Sequence, residues 1–520
     1  MNTETAINTG DCRRSSEMET FGFDETMLGK RARLLSAGLN PYPYAFRNTM
    51  PIRSVVQEGQ REGDAVPTRR VRVAGRIWSR RPMGKTWFLD LRDQTGKIQL
   101  YLTRELLSPE TWECLPQLDI GDIVGVEGDL FRTRAGELSV RAHIFEILSK
   151  VVVPIPVGKE FDGQVRFRIA DPESRYRERY LYWMLNDEDR ERIRTRARII
   201  SAIRRRMESA GFLEVLTPTI EPIYGGAEAR PFRTSIWALD DHEAFLRISP
   251  ELYLKRYIVA GFEKVFSICQ NFRNEGIDHS HNPEFSMMEW YEAYTDYEDQ
   301  MARFERLVAD ICVEICGSAC IGYQGVELDF TPPWRRLTML DGIREYARLD
   351  ASNLSAQELS VELQRRGCEI HSEISWGEAV AELFELCCEE HLVQPTFVLD
   401  HPVEISPLTK LKRGENRLVE RFEPFVFRME IGNAYSELTD PVEQCERLGH
   451  QRRELGNGYE NHPLDADFVR AIGCGMPPTG GVGLGIDRLI MLLTNAVSIR
   501  DIIPFPMVKR PNSSRIRSVT

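Results

Sequence analysis

Apolar positions follow two different periods along this chain, and the change of period divides it. Between residues 70 and 150 they fall in short β-rich runs: Val71 and Val73, Trp87-Phe88-Leu89-Asp90-Leu91, Ile98-Gln99-Leu100-Tyr101-Leu102, Ile123-Val124-Gly125-Val126 and Leu138-Ser139-Val140. Turn signals separate these runs at Met83-Gly84-Lys85, Thr95-Gly96-Lys97 and Ala135-Gly136-Glu137. Roughly five short strands in about 80 residues suit a small barrel, and both an OB-fold and an SH3-like barrel satisfy the pattern. Further on the period becomes helical, with Ile193, Ala197, Ile200, Ile203 and Met207 forming one stripe. Asp187 is placed to cap this helix, acidic residues fill its first turn, and Gly211 ends it. From there to about residue 510, strands and helices mix without the regular alternation of a parallel βαβ protein. That predicts an α+β fold with an antiparallel sheet.

The flanking segments complete the expected organisation. Residues 24–37 have helical spacing and stop at Gly38. Residues 57–67 read as a polar connector, and Val151-Val152-Val153-Pro154-Ile155-Pro156 as a strand end or linker. The expected partition is a disordered tail over 1–20, a helix and barrel over 21–156, a linker rich in Arg and Tyr over 157–185, a larger α+β domain over 186–510, and a tail over 511–520. A chain of 520 residues fits two domains, since single cores stop growing near ~250–300 residues.

Composition narrows the class. Hydrophobic residues make up 42% and charged residues 28%, the mix of a globular protein. No apolar run approaches the ~20 residues needed to cross a bilayer, and the polar N-terminus has no signal-peptide core, so a cytosolic protein is expected. Eleven cysteines with no CxxC pair do not make a disulfide scaffold. Cys312, Cys316 and Cys320, four apart, read as one helix face, and Cys387-Cys388 as core. The net charge of −12 argues against sequence-blind nucleic-acid binding. Residues 66–85 are nonetheless locally basic (Arg69, Arg70, Arg72, Arg76, Arg80, Arg81, Lys85). A polyanion groove and a solvated strand face account for them equally well.

Four segments carry candidate chemistry: Phe212-Leu213-Glu214-Val215-Leu216-Thr217-Pro218; Phe272-Arg273-Asn274-Glu275 running to His281-Asn282-Pro283-Glu284-Phe285; Glu423 and Glu430 before Ile431-Gly432-Asn433-Ala434-Tyr435-Ser436-Glu437-Leu438; and Gly480-Gly481-Val482-Gly483-Leu484-Gly485-Ile486-Asp487-Arg488. Each is weak alone. The glycines of the last segment match neither GxGxxG nor a P-loop, and suit close packing of a strand against something flat. Together and in this order the segments resemble the three signature motifs of class II aminoacyl-tRNA synthetases. The resemblance runs from about residue 71 to about residue 504. It is strongest to lysyl-tRNA synthetases, through Tyr-Gly-Gly-Ala-Glu-Ala-Arg-Pro-Phe (224–232), Pro-Glu-Leu-Tyr-Leu-Lys-Arg (250–256), Phe-Arg-Asn-Glu-Gly-Ile (272–277), Glu-Ile-Gly-Asn-Ala-Tyr-Ser-Glu-Leu (430–438) and Gly-Ile-Asp-Arg (485–488).

The resemblance implies an N-terminal OB-fold anticodon-binding barrel and a catalytic domain built on an antiparallel sheet flanked by helices. It implies joining of L-lysine to tRNA(Lys) with ATP as co-substrate and Mg2+ as cofactor, in a homodimer formed through the segment around Pro218. By resemblance, Arg273 meets the α-phosphate and the lysine carboxylate, and Arg488 lies by the adenine and γ-phosphate. Bidentate guanidinium groups suit both tasks. Glu423 and Glu430 correspond to the metal carboxylates, in keeping with magnesium's oxygen ligands. Phe285 corresponds to the ring stacked on adenine and Glu275 to a contact at the adenine edge, while His281 and Asn282 help hold the nucleotide. Glu289, Tyr291 and Glu437 surround the substrate's side-chain ammonium, Glu251 and the Gly225 backbone meet its α-amino group, and Asn433 and Tyr435 line the pocket. Arg81, Phe88, Gln99 and Glu137 correspond to anticodon contacts, though Phe88 would serve equally as barrel core. No general base is expected, because the attacking carboxylate is already ionised; positioning and electrostatics supply the rate.

Some positions depart from the family pattern. Asp278-His279-Ser280 precedes His281 where many bacterial members have a basic residue, so altered contacts to the tRNA acceptor end are expected. Residues 157–170 look longer than usual. Two alternatives remain at this stage: a lysine-activating paralogue that modifies a protein, which usually lacks the barrel, and a degenerate RNA-binding relative, which would lack Arg273, Arg488, Glu423 or Glu430.

Overall fold

A computed structural model describes residues 21–61, 69–156, 160–161, 164–165, 172–369, 374–454 and 465–509. The expected tails at 1–20 and 511–520, and most of 157–170, lie outside the described residues. Two compact units emerge, the second spanning Pro172–Lys509.

The first unit opens with α1 (Glu25–Ser36), whose N-terminus is capped by Asp24 accepting from the Met27 N–H at 2.8 Å; Gly38, at φ 76°, ends it. A second helix, α2 (Ile52–Arg61), covers residues 57–61 of the stretch expected to be connector, and residues 62–67 lie outside the described residues. Its residues are polar except on one side, where Ile52, Val55 and Gly59 are buried. Gly59 lies so near Leu138 that a Cβ there would sit 2.7 Å from it. Strands β1 (Arg70–Met83), β2 (Thr86–Arg92), β3 (Lys97–Thr103), β4 (Ile123–Arg132) and β5 (Leu138–Ser149) close into a barrel in the order β1-β2-β3-β5-β4. Alternate residues fill it: Val71, Val73, Leu89, Leu91, Leu100, Val126 and Val140 are buried. The glycine turns at 84 and 136 have φ of 62° and 83°, where side-chain-bearing residues are strained.

Most of the basic stretch is tied down within this unit. Arg69 pairs with Glu58, Arg70 and Arg72 with Glu127, and Arg81 with Asp90. Arg76 and Arg80 donate to the carbonyls of Gly121 and Leu118. These six arginines therefore have partners within the first unit, on a strand paired to both β2 and β4.

In the second unit a sheet is assembled from β6 (Leu213–Glu214), β7 (Lys264–Phe272), β8 (Glu284–Ala293), β9 (Arg335–Thr338), β10 (Thr396–Leu399), β11 (Arg421–Val426), β12 (Met429–Glu430), β13 (Gly432–Ser436) and β14 (Thr479–Gly485). The order is β9-β10-β11-β13-β14-β8-β7-β6, with β12 paired to β11. Pairing is antiparallel except for β9 with β10 and β6 with β7. Helices α3 (Asp187–Ser209), α4 (Glu251–Val259), α5 (Tyr297–Cys316) and α6 (Ile486–Leu493) flank it. Trp290, Phe304, Phe397 and Phe422 interlock in the main core on one sheet face.

Several local expectations are corrected. The cap of α3 is Asn186, which accepts from the N–H groups of Glu188 and Asp189; Asp187 is already helical. The buried stripe is Ile199, Ala202, Ile203 and Met207, while Ala197 is exposed. Gly317, at φ 83°, ends α5, so Cys320 lies in a strand rather than beside Cys312 and Cys316. Cys388 is core, but Cys387 is only half-buried. The stretch expected as linker carries two helices, Pro172–Arg177 and Arg179–Leu185. They belong to the second unit: Arg179 is fully buried and donates to the Asp501 carbonyl at 2.5 Å, and Arg175 reaches the Asp501 carboxylate at 2.6 Å.

Candidate active site

The central strands β8, β13 and β14 form the floor of a cavity of about 420 Å³, within the ~300–1,000 Å³ range of small-molecule sites. Gly225, Glu251, Arg273, Glu275, His281, Asn282, Phe285, Glu289, Tyr291, Glu423, Glu430, Asn433, Tyr435 and Arg488 all line it. Residues more than 250 positions apart in sequence are thus brought to one site by the pairing of β8 with β14 and of β14 with β13.

One end of the cavity is cationic. Arg273 follows β7, and its guanidinium lies 5.2 Å from the Phe285 ring. Its Nε is buried without a hydrogen-bond partner. Burial lowers its pKa, opposed chiefly by Glu275 and Glu430. Arg488, on α6, donates to the Glu430 carbonyl at 2.5 Å, and its other terminal nitrogen lies 3.4 Å from His281 Nε2. Because arginine can only donate, His281 Nε2 accepts and its Nδ1–H donates to Asp278 at 2.8 Å. The Ser280 and His281 N–H groups also bind Asp278, and these bonds outweigh its slight burial and hold the carboxyl well below its ordinary range. Asp487 accepts from the Ser286 N–H at 2.7 Å and pairs with Arg196 of α3, which fixes the start of α6. Glu423 meets Arg421 at 2.5 Å and Glu430 meets Arg488 at 3.5 Å. Burial and the neighbouring Glu423 both push the Glu430 carboxyl upward.

The other end is acidic and buried. Glu289, 5% exposed, accepts from Ser249 Oγ at 2.9 Å and from the Tyr291 hydroxyl at 3.2 Å. Burial first, and then Glu251, push it up to about 8. Glu437 does not line the cavity. It sits behind Tyr291 and Gly481, 1% exposed, with Oε2 at 2.5 Å from the ammonium of Lys255. Lys255 also meets Glu251 at 2.6 Å. The glycines of β14 now have a reason: a Cβ on Gly481 would lie 1.9 Å from Glu437 Oε1 and 2.5 Å from the Tyr291 ring, and one on Gly483 would lie 2.4 Å from Met287.

Comparison with known proteins decides the family. Residues 171–509 match the model of "tRNA synthetases class II (D, K and N)", and residues 71–148 match that of the OB-fold nucleic acid binding domain. The chain is 47% identical over 485 residues to the lysine–tRNA ligase of Pelotomaculum thermopropionicum, covering 92% of this chain and 93% of that one. It is 48% identical over 514 residues to that of Clostridium novyi, covering 98% of each, and 45% identical to that of Methanoculleus marisnigri over 95% of this chain and 96% of the relative. The chain belongs to the class II lysine–tRNA ligases.

Within that family's barrel, the four expected anticodon residues lie on strands or at a turn. Phe88 of β2 pairs with Arg81 of β1 on one side and Tyr101 of β3 on the other. It is half-buried, between the core residues only in sequence, and so belongs to the outer face. Its ring lies 5.4 Å from Tyr101, which lies 5.4 Å from Phe131, over which Arg141 is placed at 4.4 Å. Gln99 accepts from Ser139 at 2.9 Å, and Glu137 is exposed at the turn before β5. Tyr101, Phe131 and Arg141 join Phe88 in this cluster, and the alternation Ile98, Leu100, Leu102 already turns Tyr101 outward. Lys255, within the segment 250–256, and Asp278, in the loop between Ile277 and His281, also hold cavity residues, although neither looks different in sequence from a solvated charge.

Proposed function

We propose that this enzyme condenses L-lysine with ATP to lysyl-adenylate and pyrophosphate, then transfers the lysyl group to the 3′ end of tRNA(Lys), releasing AMP. The observation that carries this proposal is a single cavity with unpaired cationic character at Arg273 and buried carboxylates at the other end. A substrate with one carboxylate and two ammonium groups is complementary to that arrangement; an aspartate or asparagine side chain would face Glu289 without a cation.

In this proposal Arg273 draws the lysine carboxylate and the α-phosphate together, offsetting the repulsion between two anions. The carboxylate oxygen attacks phosphorus and the bond to pyrophosphate breaks, with no proton to remove. Phe285 and Glu275 receive the adenine, with Arg488 and His281 beside the phosphates. Glu289 and Tyr291 receive the ε-ammonium, with the Glu437 carboxylate set behind Gly481 adding negative charge at that end; Glu251 and the Gly225 backbone receive the α-amino group, and Asn433 and Tyr435 form the walls. Two adjacent carboxylates, Glu423 and Glu430, fit Mg2+, which takes one or two carboxylates together with phosphate oxygens. When bound it would neutralise charge on the phosphates. Arg81, Phe88, Gln99 and Glu137 would read unstacked anticodon bases, the aromatic and basic outer face of the barrel supporting this.

A homodimer is part of the proposal. Leu216 is 87% exposed, and Leu213 and Ile220 about half-exposed, on or beside the segment around Pro218 that the family resemblance assigns to dimerisation. We also place the enzyme in the cytoplasm: ten described cysteines are free, several within the core. Charging of tRNA with labelled lysine, dependent on ATP and magnesium, tests the reading; charging with another amino acid in preference to lysine would refute it.

A further inference from the structure

Lys255 is fully buried, and its ammonium bridges carboxylates from two separate elements: Glu251, one turn earlier on α4, and Glu437, just beyond β13. An ammonium placed so deep is costly unless paired, and a carboxylate as buried as Glu437 equally so. The bridge therefore holds two arms of the acidic pocket in place before any substrate arrives. It also sets the charge. Glu251, Glu289 and Glu437 carry three negative charges when ionised and Lys255 one positive, which leaves two negative charges in a buried pocket.

Building on the lysine pocket proposed above, we infer that Lys255 is a positioning and specificity-determining residue: it clamps Glu251 and Glu437 and, with the three carboxylates ionised, leaves the two negative charges that a diamino acid neutralises. Glu437 Oε2 forms the ion pair with Lys255, while Oε1 lies against the cavity-lining Gly481. The other groups facing this cluster agree. Glu289 and Tyr291 reach it from β8 and Tyr435 from β13, while Arg421 of β11 acts on Glu251 and Arg273 acts on Glu289. The Phe468 ring closes the remaining side, 5.9 Å from the ammonium. Burial works against the charge on Lys255, and Glu251 and Glu437 outweigh it, so its pKa is raised. Without that cation the carboxylates would hold a proton until a higher pH.

The test is Lys255→Met in the full-length enzyme, read by ATP–pyrophosphate exchange across pH with lysine and ATP varied separately. Near neutral pH, kcat/KM for lysine should fall by about tenfold or more, with ATP's KM changed less than about twofold. The inflection of the lysine profile should move up by about one pH unit, so that the defect narrows in alkali. A lower melting temperature with lysine KM and inflection both unmoved means Lys255 is only structural, and overturns the inference. Glu289→Gln is the control for the pocket itself: silence in both variants refutes the pocket, whereas silence in Lys255→Met alone refutes only this role. If Lys255→Met does not fold, Lys255→Met/Glu251→Gln, which removes one charge of each sign, is compared with Glu251→Gln alone. The inflection should again lie higher in the variant lacking Lys255, and equal inflections would overturn the inference.

Discussion

Replacing Gly481 with alanine adds one methyl group at the point where the pocket is tightest. The new Cβ would lie 1.9 Å from Glu437 Oε1 and 2.5 Å from the Tyr291 ring, far inside contact distance, so at least one of them must move. Glu437 is 1% exposed and bound to Lys255 at 2.5 Å, and therefore cannot simply swing into solvent. Overpacking of this kind costs about 1–3 kcal/mol, and loosening a hydrogen bond between charged groups about 1.5–3 kcal/mol more. Displacing pocket groups by about 1 Å is enough to cost about a hundredfold in rate. Gly481→Ala should thus lower kcat/KM for lysine by about a hundredfold and reduce the melting temperature, while ATP's KM shifts little. Pyrophosphate exchange with each substrate varied in turn measures this. Gly322→Ala is the matched control, because a Cβ there meets nothing within 4 Å. If Gly481→Ala proves as silent as Gly322→Ala, the close packing of Glu437 against β14 is wrong.

Further predictions concern the other parts of the site. Glu437→Gln should reduce kcat/KM for lysine by about ten to a few hundredfold through loss of a negative charge at the ammonium end of the pocket, with ATP's KM nearly constant, whereas Glu430→Gln should chiefly change the magnesium dependence. Equal effects on lysine and ATP in titrations of both variants would contradict the assignment. Phe88→Ala should weaken tRNA charging but not lysine activation, since stacking a base on an aromatic contributes about 1–3 kcal/mol; an equal loss in both assays would make Phe88 structural. Burial pushes Glu289 and Glu437 up to about 8, above the ordinary 4.5. Between those values the folded, empty pocket holds protons that an unfolded chain has released, so these groups stabilise the protein at lower pH and lose that contribution as pH rises to about 8. Lysine needs the ionised forms. Its binding should release protons, measurable by calorimetry in buffers of different ionisation enthalpy, and kcat/KM for lysine should rise from about pH 6.5 to 8.5. Proton uptake on binding would contradict this.

What could be read from sequence, and what could not, follows from the range of the interactions. The barrel strands were legible because Val71, Val73, Leu89 and Leu91 alternate, and because Gly84 and Gly136 supply turns that need positive φ. Helix α2 was not, because its polar residues mask a burial that depends on Leu138, distant in sequence. Asp187 and Asn186 are both good caps, and only the backbone of the actual first turn chooses between them. Arg175 and Arg179 looked like linker charge because their partner, Asp501, lies more than 300 residues on. The cavity-lining residues were recovered through motif resemblance, since each is ordinary by itself. Glu437 was expected at the ammonium of a substrate, and the structure gives it a lysine of the chain's own. A lysine in an amphipathic helix carries no sign of being buried, so the clamp at Lys255 depends on the sheet placing Glu437 beyond it.

The central claim is that buried carboxylates opposite Arg273 select a substrate with two ammonium groups. ATP–pyrophosphate exchange in the absence of tRNA, run with each of the twenty amino acids in turn, tests it most directly. L-Lysine is predicted to drive exchange far above every other amino acid; exchange driven best by aspartate or asparagine would contradict the account.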